Sequence, residues 1–231
     1  MADAQYKSNM GEAQYKSHIA DFERQGPLEL GPMSGQGWRV DPRRLLFMLA
    51  RYKFVAKMFA GRKSAVEFGC GDGFGTRLVR QTVGSVHGID FDPAFISWAQ
   101  RHAEREGLDI TFELTDFING MPSRKFDGSY SLDVIEHIPE AIEHHYVDHL
   151  ADVLNPGGVC IVGSPNTTAT PYASPVSLEG HINLKSAETM RSTMERRFEN
   201  VFIFSMNDEV VHTGFSPMAH YLFALCSGVK R

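Results

Sequence analysis

The chain has 231 residues and a formal net charge of −5 at pH 7, with 42% hydrophobic and 22% charged residues. This length suffices for one sizeable domain and is too short for two ordinary enzyme domains with separate cores. The composition lies close to average globular usage, which excludes collagenous, coiled-coil and wholly disordered chains. Because Lys and Arg are not in excess, little is available to neutralise a phosphate backbone, and nucleic acid is disfavoured as a partner.

Cysteine usage and the lack of long apolar runs bear on the cell compartment. Cys70, Cys160 and Cys226 are widely spaced and form no metal-ligand pair, so neither a disulfide scaffold nor a zinc cluster is expected. The N-terminus lacks the apolar core of a signal peptide, and no segment approaches the roughly 18 apolar residues of a membrane helix. We therefore expect a soluble, cytoplasmic protein with no membrane span.

Residues 1–40 are predicted to form an N-terminal arm ahead of one domain that spans residues 41–231. The arm is polar and rich in Gly and Pro, and two interpretations stay open. It is either loosely structured with one short helix, or a flap that orders over a bound ligand. At Asp41 the pattern changes to apolar residues at helical spacing, which predicts a helix that starts at Pro42 and ends before Gly61.

The chain beyond this helix alternates strand and helix signals. Strands are predicted at 64–68, 85–90, 109–116, 125–134 and 159–165, with helices between them at 76–83, 93–106 and 145–154. Parallel strands need crossover connections, and units of this length supply them. The alternation therefore predicts a doubly wound α/β fold with a mostly parallel sheet and helices on both faces.

The last third of the chain breaks this rhythm. An irregular stretch precedes a helix near 186–197, and two apolar, aromatic-rich runs follow at 200–206 and 219–226. No helix pattern separates the two runs, so they should pair antiparallel. We expect a seven-stranded Rossmann-like sheet that finishes with a C-terminal antiparallel strand pair.

The strongest local motif is the glycine loop from Glu67 to Gly75, which follows the first predicted strand. Glycine at alternate positions allows positive φ and lets a ligand approach the backbone without meeting a Cβ. The dinucleotide fingerprint G-x-G-x-x-G fails in both registers, because Phe74 or Thr76 stands where the third glycine is needed. The loop is predicted to bind a ligand other than a dinucleotide.

The pattern acidic-x-Gly-x-Gly-x-Gly resembles motif I of the class I S-adenosylmethionine-dependent methyltransferases. The resemblance extends over residues 45–227 and includes the runs Asp-Val-Ile-Glu-His from Asp133, Asn-Pro-Gly-Gly from Asn155 and Gly-His-Ile-Asn from Gly180. In the last run Gly180 replaces the acidic residue of the family's element. The resemblance implies a methyltransferase fold and activity, with S-adenosyl-L-methionine as cofactor and S-adenosyl-L-homocysteine as product.

The resemblance also implies a set of cofactor-binding residues. Asp90, at the end of the second strand, matches the carboxylate that accepts hydrogen bonds from the ribose hydroxyls. Asp116 matches the acidic residue that takes the exocyclic amine of adenine, with Phe117 as a neighbouring apolar wall. The full predicted cofactor set is Glu67, Gly69, Gly71, Gly73, Asp90, Phe91, Asp116, Phe117 and Leu132.

A hydroxyl acceptor needs a base, and histidine is the usual choice near neutral pH. His181 is the first candidate because it follows the fifth strand at the carboxyl edge, where open α/β sheets place their ligands. His212 and His137 are the other two catalytic candidates. Asp133 and Glu136 with His137 and His181 could coordinate a divalent ion, but adjacent residues point apart on a helix, so transfer without a metal is preferred.

The acceptor is predicted to be a small molecule. The motifs of DNA and protein-arginine methyltransferases are absent, and the resemblance favours O-methylation of a sugar, nucleotide sugar, surface-polysaccharide precursor or secondary metabolite. A phosphorylated acceptor could use the basic residues around the first helix of the domain, which are Arg39, Arg43, Arg44, Arg51 and Lys53. N-methylation, a catalytically idle cofactor-binding partner subunit and a homodimer remain open alternatives.

Overall fold

The computed structural model describes residues 12–121 and 123–230. Its helices are α1 (Glu12–Gln25), α2 (Pro32–Val40), α3 (Arg43–Met58), α4 (Thr76–Arg80), α5 (Pro93–Arg105), α6 (Glu143–Asp152), α7 (Pro175–Gly180) and α8 (Ala187–Glu195). Its strands are β1 (Ala65–Phe68), β2 (Val86–Asp90), β3 (Ile110–Leu114), β4 (Phe126–Leu132), β5 (Leu154–Pro165), β6 (Phe198–Asn207), β7 (Val210–His212) and β8 (Tyr221–Val229). None of the helices in these ranges is long and apolar enough to span a membrane.

All eight strands join one sheet in the order β3-β2-β1-β4-β5-β8-β6-β7. The first five are parallel, whereas β8 runs antiparallel between β5 and β6. This confirms the doubly wound α/β fold with its C-terminal antiparallel pair. The strand order reverses on the two sides of β1, so the carboxyl ends of β1 and β4 flank a crevice in which open α/β sheets bind ligands.

The sheet has one strand more than the sequence predicted. The extra strand, β7, forms three residue pairs with the end of β6 through a turn at Asp208, whose φ is +50°. No strand was predicted in this stretch, because three residues at a sheet edge are too few to carry a periodic signal. A second difference is that β5 begins at Leu154 and thus contains the predicted Asn-Pro-Gly-Gly turn.

Side chains alternate between the two faces of the sheet and bury a core on each. On β1, Val66 and Phe68 pack towards α6 and α8, while Ala65 packs towards α3. The largest fully buried side chains include Tyr130 and Tyr146, one on each face. Burial of each such side chain contributes roughly 1.5–3 kcal/mol, so the two faces together supply the main stabilisation of the fold.

The N-terminal segment is more helical than the sequence reading expected. The described part contains two helices, and the chain divides between Leu30 and Gly31 into two compact units. The second unit therefore includes α2 together with the whole sheet. The predicted boundary between the arm and the domain at residue 40 remains a prediction.

Candidate active site

The loop after β1 depends on its glycines. Gly69, Gly71 and Gly73 have φ values of +77°, +53° and +73°, a region that residues with a Cβ rarely adopt. A Cβ added to Gly69 would lie 2.4 Å from Cγ2 of Val134, and one added to Gly73 would lie 2.5 Å from Cζ of Phe112. Both the backbone conformation and the close packing therefore require glycine.

Glu67 lies directly before this loop and is fully buried. Its Oε1 accepts a hydrogen bond from the hydroxyl of Tyr52 at 2.5 Å, and its Oε2 accepts from Thr76 at 2.6 Å and Tyr130 at 2.8 Å. Burial raises the pKa of Glu67 to about 7 despite these hydrogen bonds, which lower it. The carboxyl group thus ties β1 to α3, α4 and β4 and fixes the base of the glycine loop.

Asp90 lies beside the loop at the carboxyl end of β2, as the sequence placed it. Its Oδ2 accepts a hydrogen bond from the N–H of Gly71 at 2.9 Å, and its Oδ1 accepts from the N–H of Asp92 at 3.0 Å. A carboxylate offers about four acceptor positions, so two hydrogen bonds leave room for a ligand's hydroxyls. The adjacent Phe91 is 69% exposed and presents an apolar ring at the same edge.

The other predicted cofactor residues differ in their exposure to solvent. Asp116 is exposed after β3, and its carboxylate accepts a hydrogen bond from the side chain of Asn119 at 2.7 Å. Phe117 is turned into the core, with its ring centroid 5.4 Å from that of Phe68. Leu132 is buried at the end of β4. Because the Phe117 ring is buried, this residue can offer a ligand its backbone but not its side chain.

Helix α2 covers the glycine loop through a contact that sequence reasoning missed. Oδ2 of Asp72 accepts hydrogen bonds from the N–H of Met33 at 3.0 Å, from the N–H of Ser34 at 2.7 Å and from the Ser34 hydroxyl at 2.9 Å. A Cβ on Gly71 would lie 3.0 Å from the Met33 sulfur, so this side chain rests on the loop. Asp72 caps α2 from a distance of 38 residues in sequence, which local capping rules do not detect.

Comparison with known proteins identifies the domain. Residues 65–158 match the family model described as "Methyltransferase domain". This part of the chain is therefore a methyltransferase domain, similar to that of the class I S-adenosylmethionine-dependent methyltransferases. A ubiquinone biosynthesis O-methyltransferase from Paramagnetospirillum magneticum is 28% identical over 142 residues, covering 58% of this chain and 56% of the relative. A probable S-adenosylmethionine-dependent methyltransferase from Mycolicibacterium smegmatis is 32% identical over 116 residues, covering 50% and 42%.

Solved structures share the fold of this methyltransferase. The N-methyltransferase NodS from Bradyrhizobium japonicum, in complex with S-adenosyl-L-homocysteine, matches with a TM-score of 0.63 at 21% identity, covering 90% of this chain and 97% of NodS. A methyltransferase from Clostridium acetobutylicum matches with a TM-score of 0.65 at 11% identity, covering 94% and 98%. At these identities the likeness concerns the fold alone. The chain spans about half the length of the curated relatives it matches.

S-adenosylmethionine is the cofactor of this family, and the residues of the loop fit it. Gly69 and Gly71 give the loop its positive-φ backbone, but Val134 and Met33 fill the space beside them, so a ligand over Gly71 would have to displace the Met33 side chain. Asp90 has spare acceptor positions for the ribose hydroxyls, and the exposed ring of Phe91 suits the flat adenine. These residues would hold the cofactor in this methyltransferase.

A cavity of about 680 Å³ opens at the carboxyl edge of the sheet, next to the cofactor loop. Asp133 lines this cavity, and the following residue, Val134, is the one against which Gly69 packs. The segment after β4 therefore contacts the glycine loop and also lines the cavity. The remaining lining is contributed by α3, the end of β5, the 167–184 segment, the β6–β7 turn and the start of β8.

Arg51 provides a half-buried positive charge in the lining of this cavity. Its Nη1 lies 2.8 and 2.7 Å from the two carboxylate oxygens of Asp133, and its guanidinium stacks 3.9 Å above the ring of Tyr221. Asp133 has a φ of +59°, which is uncommon outside glycine. The sequence grouped Arg51 with other basic residues around α3, because its burial depends on contacts more than 80 residues away.

His181 and His137 lie together, with ring centroids 5.0 Å apart in an edge-to-face arrangement. His181 is half-buried and lines the cavity, and burial together with the nearby His137 lowers its pKa. His137 is exposed, and its Nδ1 lies 2.9 Å from the carbonyl oxygen of Gly180. A histidine pKa below its usual value keeps His181 neutral and able to accept a proton at neutral pH.

Glu136 is the third group of this cluster, and its position corrects the expectation that its side chain points away from His137. The two residues stand on a short 3₁₀ turn, Ile135–His137, with Glu136 buried and His137 exposed. One ligand atom from each of Glu136, His137 and His181 lies within 4.8 Å of the others. Burial and the negative charge of Asp133 raise the pKa of Glu136.

A buried polar network holds the segment that carries His181. Lys185 forms an ion pair with Glu143 at 2.6 Å, and the Asn183 side chain donates to the same carboxylate at 2.8 Å. The N–H of Asn183 donates to the carbonyl oxygen of Glu136 at 3.0 Å. The asparagine of the Gly-His-Ile-Asn element thus fixes His181 relative to the turn after β4.

His212 stands apart from the other two catalytic candidates. It lies on β7 and lines a second cavity, formed with residues of α3, and not the cavity that holds His181. Its Nε2 lies 2.8 Å from Oδ1 of Asn207, and its Nδ1 accepts a hydrogen bond from the N–H of Gly214 at 3.0 Å. Both ring nitrogens are thus engaged in fixing the β6–β7 turn.

Proposed function

We propose that this methyltransferase transfers the methyl group of S-adenosylmethionine to a hydroxyl of a small molecule held in the 680 Å³ cavity. The observation that carries the proposal is that the cavity adjoins the cofactor loop at Val134 and contains His181. An imidazole in this position suits removal of a hydroxyl proton. N-methylation of an amine is the alternative, because an unprotonated amine needs no base.

The lining of the cavity suits a polar ring. Aromatic side chains that can pack against one, Phe47 and Tyr172, lie near hydroxyl and amide groups that can bond to it, which are Asn166, Thr170, Ser174, Ser177 and Asn207. Arg44 adds a cation at the same cavity that could meet a phosphate. These features support a sugar, nucleotide sugar, polysaccharide precursor or polyhydroxylated secondary metabolite as acceptor.

The residues perform the transfer mainly by alignment. When bound, the cofactor supplies an electrophilic methyl group on a positively charged sulfur. The glycine loop and Asp90 would hold the donor, and the cavity would hold the acceptor hydroxyl next to it. His181 would take the proton that the hydroxyl loses when its oxygen receives the methyl group.

The experiment uses labelled S-adenosylmethionine with a panel of nucleotide sugars, glycans and phenols, and follows methyl transfer by mass. With the acceptor found, His181→Ala should lower turnover by about 10² to 10⁴ while S-adenosylhomocysteine affinity stays within a few-fold. His145→Ala, an exposed histidine on α6, is the matched control and should retain turnover. Turnover of His181→Ala above about a third of the parental value would refute the role of His181.

An idle cofactor-binding subunit is separated by the same experiment. Such a subunit would bind S-adenosylhomocysteine but methylate no member of the panel. The parent and the two histidine variants would then all be inactive. Transfer to an amine and to no hydroxyl would instead replace O-methylation by N-methylation.

A further inference from the structure

Three side chains with metal-binding atoms lie together at the edge of the cavity, and two of them, Glu136 and His181, line it. Glu136 and His137 come from the turn after β4, and His181 follows α7. Their ligand atoms all lie within 4.8 Å of one another. On a tetrahedral ion with bonds of about 2.1 Å these atoms would be about 3.4 Å apart, so the cluster has to contract by at most about 1.4 Å. Rotation of the half-buried His181 ring can supply part of this movement.

Glu136 is the strongest sign of a missing partner. Its side chain is 0% exposed, yet neither carboxylate oxygen has a hydrogen-bond partner within the described ranges. The nearby cation, Arg51, is bound through Nη1 to both oxygens of Asp133. A buried carboxyl group without partners is costly, and a bound cation would satisfy it.

The orientation of His137 is the second sign. Its Nδ1 lies 2.9 Å from the carbonyl oxygen of Gly180, and a carbonyl can only accept, so Nδ1 carries the proton. Nε2 is then left with its lone pair free to bind an ion. Histidines that ligate metals commonly donate their other N–H to a backbone carbonyl in this way. Because Gly180 directly precedes His181, this hydrogen bond also ties the backbone next to His181 to the turn after β4.

We propose that Glu136, His137 and His181 form a binding site for a divalent transition-metal ion. Two imidazoles and one carboxylate are a ligand set that Zn²⁺ and Fe²⁺ prefer, whereas Mg²⁺ and Ca²⁺ prefer oxygen ligands alone. Three protein ligands leave at least one coordination position of the ion open. The ion's role rests on the proposed function: it would bind and acidify the acceptor hydroxyl, the hydroxyl's proton would leave to solvent, and His181 would serve as a metal ligand in place of its role as base.

The test measures metal binding directly, without donor or acceptor. The full chain, prepared without a polyhistidine tag and treated with a chelator, is titrated with Zn²⁺ by calorimetry and with Co²⁺ by visible absorption. We expect one ion per chain, and affinity lowered by about 100-fold or more in Glu136→Gln and in His181→Gln. The matched control is Glu140→Gln, a neighbouring exposed glutamate that should leave affinity unchanged.

The outcomes separate this site from the proposed function. Binding weaker than about 1 mM in the parent, or equal binding in parent, Glu136→Gln and His181→Gln, overturns the metal site and leaves His181 as a base. Tight binding lost in these variants supports the site even where no acceptor is methylated. S-adenosylhomocysteine affinity of each variant reports whether it has folded, and His181→Gln, at a half-buried position, covers the case in which Glu136→Gln fails to fold.

Discussion

Replacing the buried Glu67 by Gln should change how the stability of the protein depends on pH. The carboxyl group is fully buried and accepts three hydrogen bonds from hydroxyl groups. Burial raises its pKa from 4.5 to about 7. Gln keeps the shape of the side chain and stays neutral at every pH, and the hydroxyls can turn to accept its N–H groups. The variant therefore removes the titration and little else.

The size and direction of the effect follow from the two pKa values of Glu67. Each pKa unit corresponds to about 1.36 kcal/mol, so a shift from 4.5 to about 7 is worth about 3 kcal/mol. Because the folded pKa lies above the unfolded one, this stability is fully present below the unfolded pKa and is lost as pH rises through the folded pKa. Between about pH 5 and pH 8.5 the parent should lose about 2 to 3 kcal/mol through this group.

The assay is urea unfolding at those two pH values, followed by tryptophan fluorescence. Other titrating groups contribute equally to parent and variant, so the difference between their pH-dependent losses isolates Glu67. Glu140→Gln, which removes an exposed carboxylate, is the control and should behave as the parent. If Glu67→Gln lost stability with pH as the parent does, within about 0.5 kcal/mol, the reasoning from burial would be refuted.

Three further predictions concern the cofactor and the segments around it. Asp90→Ala should weaken S-adenosylhomocysteine binding about tenfold or more in calorimetry, since unpaired ribose hydroxyls cost roughly 1 to 3 kcal/mol. Lys185→Met leaves Glu143 as an unpaired buried charge, so urea unfolding should show a loss of about 3 to 5 kcal/mol, and adding Glu143→Gln should restore part of it. Asp72→Asn weakens the cap of α2, so hydrogen exchange of residues 33–40 should accelerate about tenfold or more, whereas unchanged exchange would show that α2 is held by its other contacts.

Periodicity and loop chemistry predicted most of the fold because they are local signals. The helix α5 was expected at 93–106 and occupies Pro93–Arg105, since Pro93 begins it and Gly107 follows it. The strand β7 was missed because three residues at a sheet edge are stabilised by pairing with β6 and not by any pattern of their own. Local sequence signals therefore predicted the long elements, whereas the short ones depend on tertiary contacts.

The candidate site divides in the same way. The backbone conformation of Gly69 and the position of Asp90 could be predicted, because both follow from the turn that joins a strand to its helix. The burial of Arg51 could not, because its partner Asp133 lies 82 residues away. Likewise, the orphaned carboxylate of Glu136 becomes visible only when the surrounding atoms are in place.

The turn after β4 contacts both the glycine loop and the cavity. Asp133 adopts a φ of +59°, a conformation that costs of order 1 to 3 kcal/mol outside glycine and persists where neighbours impose it. Two neighbours do so here, since its N–H donates to the carbonyl oxygen of Gly163 at 3.0 Å and its carboxylate is held by Arg51. This sharp change of direction places Val134 against the cofactor loop and Glu136 at the cavity. The strained backbone at Asp133 therefore connects the glycine loop to the cavity within four residues.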